Sequence, residues 1–494
     1  MTSTLQPPTT RSIHKLGLSV PTTLWIGGAE RRASDGSSFA VLDPASGAEL
    51  ARVDSASVDD AIAAVDAASA AAAEWAAVAP RRKGEILRRA FEIMIARKEG
   101  LARLITLENG KALADARSEI VYAAEFFRWY SEEAVRIRGT LETAPSGSNR
   151  IIVTHQPVGV ALLITPWNFP AAMATRKIGP ALAAGCTMVL KPASETPLTA
   201  LALVSILEEA GVPAGVVNVI PSKRSGAISS ALLADPRVRK VSFTGSTEVG
   251  RVLLELSAKN VVNASMELGG NAPFLVLDSA NLDEAVAGAM VAKLRNGGEA
   301  CTAANRFYVH RSVADEFSQR FAEGMRALVV GPGLDATTDI GPLVNEATRS
   351  KVAALVDGAV SEGARVLAGG QSGSGEGYFY EPTVLIDVAP DSAILGEEIF
   401  GPVAPIVVFD DVADAIRLAN ETVYGLVAYV YTTDLAEGLR VSEALESGMV
   451  GLNRAVVSDP AAPFGGVKQS GLGREGGHEG VLDYMESKYI AVSW

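Results

Sequence analysis

The sequence is poor in the residues that staple or ligate. Two cysteines in 494 residues cannot build a disulfide framework, and they fit a reducing compartment. Four histidines, His14, His155, His310 and His478, stand far apart and at no metal-ligand spacing, so no metal site is expected. No apolar run suits a bilayer: the best, residues 158–174, is broken by Pro166, Asn168 and Pro170. Residues 1–15 are polar and lack the apolar centre of a signal peptide. There is no basic excess either. A net charge of −13 argues against nucleic acid or an anionic membrane as partner. These absences lead to the expectation of a cytoplasmic protein acting on a small molecule.

What is present is ample material for a core. The apolar fraction of 48% against 20% charged is that of a globular protein, and the length suggests two to four domains. Ser57 stands where it would cap an Ala-rich helix running to about residue 78. A second helix is predicted after Pro80, with Ile86, Leu87, Phe91, Met94 and Ile95 at helical spacing, and a third over about 115–136. Residues 143–149 read as a turn. From residue 158 the pattern changes. Apolar runs at 158–164, 188–190, 216–220 and 241–243 alternate with helical stretches at about 171–184, 197–210, 225–234 and 247–258. That alternation implies a parallel sheet covered on both faces. A second α/β stretch runs from 271 to about 465, with strands at 274–277 and 307–310, and the tail 489–494 reads as a strand.

Gly471-Leu-Gly473-Arg-Glu-Gly476 matches the GxGxxG phosphate-loop pattern, but no apolar strand precedes it, so a flexible loop is expected there. The turn Thr244-Gly245-Ser246, between a short strand and a helix start, is the better dinucleotide candidate, because backbone N–H groups at a helix start can hold a pyrophosphate. An ordinary strand–turn–helix junction accounts for it equally well. Cys186 lies in an apolar stretch and reads as a small buried residue. Cys301 follows Asn296-Gly-Gly-Glu-Ala, where paired glycines let backbone come close to a ligand. Glu267, in Met266-Glu-Leu-Gly-Gly270, places a carboxylate at an apolar strand end, where desolvation would make it a usable general base. A structural cysteine and a surface glutamate remain the commoner explanations of those two residues.

Taken together, the motifs resemble the aldehyde dehydrogenase superfamily. They are Thr165-Pro-Trp-Asn-Phe-Pro170, Lys191-Pro-Ala-Ser194, Phe243-Thr-Gly-Ser-Thr-Glu-Val-Gly250, Met266-Glu-Leu-Gly-Gly270, Cys301 after its glycines, Glu397-Glu-Ile-Phe-Gly-Pro402 and Pro463-Phe-Gly-Gly466. They occur in family order across almost the whole chain. Residues 174–194 are similar to bacterial succinate-semialdehyde dehydrogenases in particular. The resemblance implies an α/β fold of three parts. These are a Rossmann-like coenzyme domain (1–138 and 158–266), an α/β catalytic domain (267–465), and a small β oligomerisation element (139–157 and 480–494) in a homo-oligomer, dimer or tetramer. It implies oxidation of an aldehyde through a thioester on Cys301, with Asn168 donating to the oxyanion, Glu267 activating water, and Lys177 near the active site. It implies that Trp167, Lys191, Ser194, Gly245, Ser246, Glu398 and Phe400 contact the dinucleotide. Ser194 stands where NAD-specific relatives carry glutamate, so NADP is the expected coenzyme, with NAD usable. Arg176, Arg295 and Ser458 match positions that hold the far carboxylate of succinate semialdehyde, and glutarate semialdehyde is an alternative substrate. Those dehydrogenases usually have glutamine where this chain has Glu299, and a carboxylate there would raise the thiol pKa if its charge were felt. Two other classes remain: a relative passing the acyl group to coenzyme A, against which Glu267 counts, and a non-catalytic scaffold, against which Cys301, Glu267 and Asn168 count.

Overall fold

The computed structural model describes residues 16–493. His14 and Trp494 lie outside the described residues. The expected Ala-rich helix is Val58–Ala77. Ser57 accepts from the Asp60 N–H while Asp60 reaches back to the Ser57 N–H, a reciprocal cap that starts the helix. Helices Pro80–Ala96 and Leu113–Glu133 follow, with a further helix, Lys98–Asn109, between them. The sequence reading missed that one, since Gly100 and the polar run 97–100 hide its apolar face.

Eight strands form the first sheet, in the order Gly471–Leu472, Asn263–Glu267, Val238–Thr244, Val160–Ile164, Thr187–Lys191, Val217–Val219, Leu24–Ile26, Ala29–Arg31. The five from Asn263–Glu267 to Val217–Val219 are parallel. Numbered along the chain, those five lie in the order 5-4-1-2-3, so the winding reverses between Val160–Ile164 and Val238–Thr244. In a doubly wound sheet the crevice beyond the carboxyl ends of such a strand pair is where ligands bind. Apolar clusters cover both faces, one built around Phe126, Leu163 and Leu190, the other around Leu162, Val189 and Val241.

The second sheet has seven strands, in the order Arg365–Ala368, Thr383–Ile386, Val403–Phe409, Ala304–His310, Ala272–Val276, Val427–Tyr431, Met449–Leu452, all parallel except the first. Only residues 268–271 separate the last parallel strand of the first sheet from the central strand Ala272–Val276 of the second. The carboxyl edge of one sheet therefore faces the amino edge of the other. A separate three-stranded antiparallel sheet joins Met485–Val492, Arg150–Pro157 and Thr140–Thr143.

The expectation of a flexible loop at 471–476 is corrected. Leu472 and Gly471 pair with Met266 and Glu267 as an edge strand, and Glu475 bonds to Phe464 in both directions, so the segment is tied on two sides. No single helix among the described residues is long and apolar enough to cross a membrane.

Candidate active site

A cavity of about 270 Å³ opens between the two sheets. Its walls bring together Trp167, Asn168, Arg176, Gly245, Ser246, Arg295, Cys301, Glu398, Phe400 and Ser458, ten of the fourteen residues singled out from the sequence. The winding reversal explains half of this. Asn168 follows the strand Val160–Ile164, and Gly245 and Ser246 follow Val238–Thr244. Lys191, Ser194, Lys177 and Glu267 stand off the wall.

Cys301 is half-buried and sits at the end of an unusual loop. Asn296, Gly297 and Gly298 take φ values of 58°, 63° and 81°, three left-handed residues in succession. A Cβ on Gly298 would lie 2.3 Å from the Gly401 carbonyl oxygen, so only glycine fits there. Gly270 is required for a similar reason: its Cβ would lie 2.3 Å from the Cys301 carbonyl oxygen. Burial pushes the Cys301 thiol up to about 12, with Glu398 and Glu267 adding to the rise and Arg176 and Arg295 opposing it. Glu299 is not among the groups that move it. The carboxyl turns inward, accepts from the Val344 N–H at 3.0 Å, and is pushed up to about 8 by burial, so it is neutral at pH 7. A neutral carboxyl puts no negative charge beside the thiol.

Asn168 donates from Nδ2 to the Glu299 carbonyl at 3.0 Å, leaving its second amide hydrogen for a group in the cavity. Asn296 donates to the carbonyls of both Asn168 and Glu299, each at 2.9 Å, and so ties the two loops together.

Glu267 is buried, contrary to a surface position, with both carboxyl oxygens lacking a hydrogen-bond partner, and its charge is felt at Cys301. Burial raises its pKa well above the usual carboxyl range, and Glu475 raises it further, while Arg176, Lys177 and Arg474 oppose. Glu475 was invisible to the sequence reading. It comes from the segment that matched GxGxxG, and its carboxylate accepts from Lys177 Nζ and pairs with Arg176 Nε at 3.4 Å. Lys177 also donates to Ser242 Oγ at 2.9 Å. Lys177 thus serves the carboxyl pair rather than the cavity.

The two arginines differ. Arg176 is fully buried, stacks 3.9 Å from the Phe464 ring centroid, and donates to the Tyr122 hydroxyl at 2.9 Å in addition to its pairing with Glu475. Arg295 is half-buried over the rings of Tyr122 and Phe169, at 5.6 and 5.1 Å, and has no ion pair among the described residues. Its charge is available to a ligand.

At the other end of the cavity, Ser246 caps the helix Thr247–Ala258 by accepting from the Val249 N–H. Thr244 Oγ1 is buried, aimed at the cavity wall, and unpartnered. Trp167 and Phe400 meet edge to face at 5.3 Å, forming an aromatic border. An orphaned hydroxyl, a helix start and an aromatic border together fit a dinucleotide. Beside them, burial lowers Lys191 to about 8, and Ser194 Oγ donates to the adjacent Glu195 carboxylate at 3.2 Å. Nothing in the motif Lys191-Pro-Ala-Ser194 points to Glu195.

Residues 31–490 match the model of the aldehyde dehydrogenase family. The chain belongs to this family. It is 57% identical over 444 residues to succinate-semialdehyde dehydrogenase of Paenarthrobacter nicotinovorans, covering 90% of this chain and 99% of the relative. It is 48% identical to glutarate-semialdehyde dehydrogenase of Pseudomonas putida, covering 95% and 97%. Among solved structures, it matches an NADP-dependent enzyme of Escherichia coli with a TM-score of 0.95 and 48% identity, covering 97% and 99%. The mixed α/β fold is that of an aldehyde dehydrogenase, with a Rossmann-like coenzyme-binding part, a catalytic part and a small β part.

Proposed function

We propose that this aldehyde dehydrogenase oxidises succinate semialdehyde to succinate with NADP, NAD serving less well. The observation that carries the substrate is Arg295, a guanidinium with no ion pair at contact distance among the described residues, on the wall that also holds Cys301 and Ser458. An arginine in that state grips a carboxylate through charge-assisted hydrogen bonds. The identity to the succinate-semialdehyde dehydrogenase of Paenarthrobacter nicotinovorans supports it. Glutarate semialdehyde is the second reading, supported by the Pseudomonas putida relative, because one methylene is worth only about 1–3 kcal/mol of discrimination.

In this reading the Cys301 thiolate adds to the aldehyde carbon, and the carbonyl oxygen becomes an oxyanion facing Asn168 Nδ2 and the Cys301 N–H. Bound coenzyme supplies the hydride acceptor. Loss of hydride leaves a thioester on Sγ. Glu267, once deprotonated, takes a proton from water as that water attacks the thioester carbonyl, and the Cys301 thiolate leaves with the carboxylic acid released. A base with so high a pKa makes hydrolysis accelerate with rising pH. Lys177 and Glu475 hold the charge balance behind Glu267. Trp167, Gly245, Ser246, Glu398 and Phe400 hold the dinucleotide, with Lys191 and Ser194 toward its adenosine end. Ser194 lacks the carboxylate that would repel a 2′-phosphate by roughly 4 kcal/mol at about 4 Å. Glu195 works against this and moderates the NADP preference.

Residues 1–138 and 158–266 act as the dinucleotide-binding domain, 267–465 as the catalytic domain, and 139–157 with 480–494 as the oligomerisation element of a cytoplasmic homodimer or homotetramer. The test is reduction of NADP and NAD by purified protein with succinate semialdehyde, glutarate semialdehyde and butyraldehyde. The acid aldehydes are expected to give the larger kcat/KM. A preference for butyraldehyde removes the carboxylate anchor, and a large preference for NAD removes the coenzyme assignment.

A further inference from the structure

The loop that carries Asn168 contains no cap of its own. The helix Pro170–Ala184 begins without a side-chain hydrogen bond from its N-cap residue, Phe169. Its first free N–H groups, of Ala171 and Ala172, are instead taken by Glu119 Oε1 at 2.9 and 3.3 Å, from the helix Leu113–Glu133. The other carboxylate oxygen of Glu119 accepts from Lys111 Nζ at 2.6 Å. The same Nζ donates to the Asn168 carbonyl at 2.6 Å and lies 4.3 Å from the Phe169 ring centroid. Both side chains are almost fully buried, at 4% and 2% exposure.

We propose that the buried Lys111–Glu119 pair positions Asn168 for oxyanion stabilisation, fixing its backbone from one side and the helix that follows it from the other. This rests on the reading of Asn168 as the oxyanion donor. Neither residue reaches the cavity, so they are positioning residues that act through Asn168. A buried ion pair is a weak source of net stability, because desolvation of both charges offsets their attraction. It is a strong source of geometry, since charge-assisted hydrogen bonds are short and directional. Here the geometry falls on one peptide unit. The Asn168 carbonyl accepts from Lys111 and from Asn296, which also holds Glu299, so its side-chain amide is presented to the nucleophile loop at a fixed angle. An oxyanion donor acts only if it is aimed where charge develops, and displacement of about 1 Å costs about 100-fold in rate.

The test is single-turnover formation of reduced coenzyme by the full-length enzyme with succinate semialdehyde. The double variant Lys111→Met with Glu119→Gln removes both charges, so neither is stranded, and Glu119→Gln alone is the milder form that keeps an acceptor for the helix start. Thermal unfolding and coenzyme binding by fluorescence establish that each is folded. The expected result is a 10- to 100-fold slower first turnover, on the order of what a misplaced donor costs. Apparent affinity for aldehyde and coenzyme stays within threefold. In an Asn168→Ala background the same substitutions slow the first turnover less than threefold further. A full additional loss in that background, an unchanged first turnover in the folded variants, or a loss confined to coenzyme affinity overturns the proposal. Wild-type protein that turns over no aldehyde overturns the functional reading instead, so the two failures are distinguishable.

Discussion

Two loops meet over the cavity, and they are held by opposite means. Residues 165–169 are gripped from outside. Asn109 bonds to the Trp167 carbonyl, Lys111 to the Asn168 carbonyl, and Glu119 to the helix that follows. Residues 295–301 are shaped from within, by three left-handed residues, one of them a glycine that no other residue can replace. Backbone in sparsely populated conformations persists only where the surroundings impose it. Here they do: Asp115 accepts from the Asn296 N–H at 2.8 Å, and Tyr429 donates to the Thr302 carbonyl at 2.8 Å. The difference separates tasks. The externally held loop presents a donor that stays put. In the proposed function the internally shaped loop carries both the nucleophile Cys301 and the substrate-holding Arg295, so chemistry and substrate choice would ride on one short segment.

Removing the nucleophile should have the largest effect. Cys301→Ala is expected to lower dehydrogenase turnover by roughly a thousandfold or more, as deletion of a covalent catalyst does. Retention of substantial turnover, measured as coenzyme reduction, would break the contrast at its root. The arginines sharpen it. Arg295→Ala should depress kcat/KM for succinate semialdehyde by roughly 30-fold to several thousandfold while largely sparing butyraldehyde. Arg176→Ala should depress both substrates, because Arg176 is already engaged by Glu475 and Tyr122 and lies beside the carboxyl pair. Equal losses for the two substrates in Arg295→Ala would sink the anchor.

The smallest effect is expected at Glu299. Its carboxyl keeps its proton to about 8 when folded, whereas an unfolded carboxyl ionises near 4.5. The unfolded chain therefore binds fewer protons between these values, and wild-type stability from this group falls as pH rises from about 4.5 to 8. Glu299→Gln lacks that fall. Its Tm relative to wild type should increase with pH across that window, with activity at pH 7 within about threefold. A Tm difference independent of pH would mean that Glu299 is ionised in the folded state.

How much of this was legible follows the same contrast. The helix starts at Ser57 and Pro80 could be read because capping and proline chemistry act over a few residues. The parallel sheet could be read because buried strands are short apolar runs. Ten site residues on one wall followed from family motifs, whose order along the chain says nothing by itself of distance. What was hidden acts across long separations. Glu119 reaches Ala171 across 52 residues, and Glu475 reaches Lys177 across 298. The flexible loop expected at 471–476 is ordered for a related reason: Gly471 lets the backbone press against Met266 and Glu267, far away in the chain.

That edge strand has a consequence for biosynthesis. Cys301 is translated 174 residues before Glu475, and Glu267 earlier still. At about 5–20 residues per second, the ribosome needs roughly 9–35 s to travel from the nucleophile codon to the codon for Glu475. During that interval the first sheet lacks its outer strand and Lys177 lacks its counter-charge. The nascent chain therefore displays a thiol without the acid group behind it that balances the site. A stall in that stretch would leave a growing polypeptide that already contains Glu267 but holds Lys177 without the carboxylate that neutralises it.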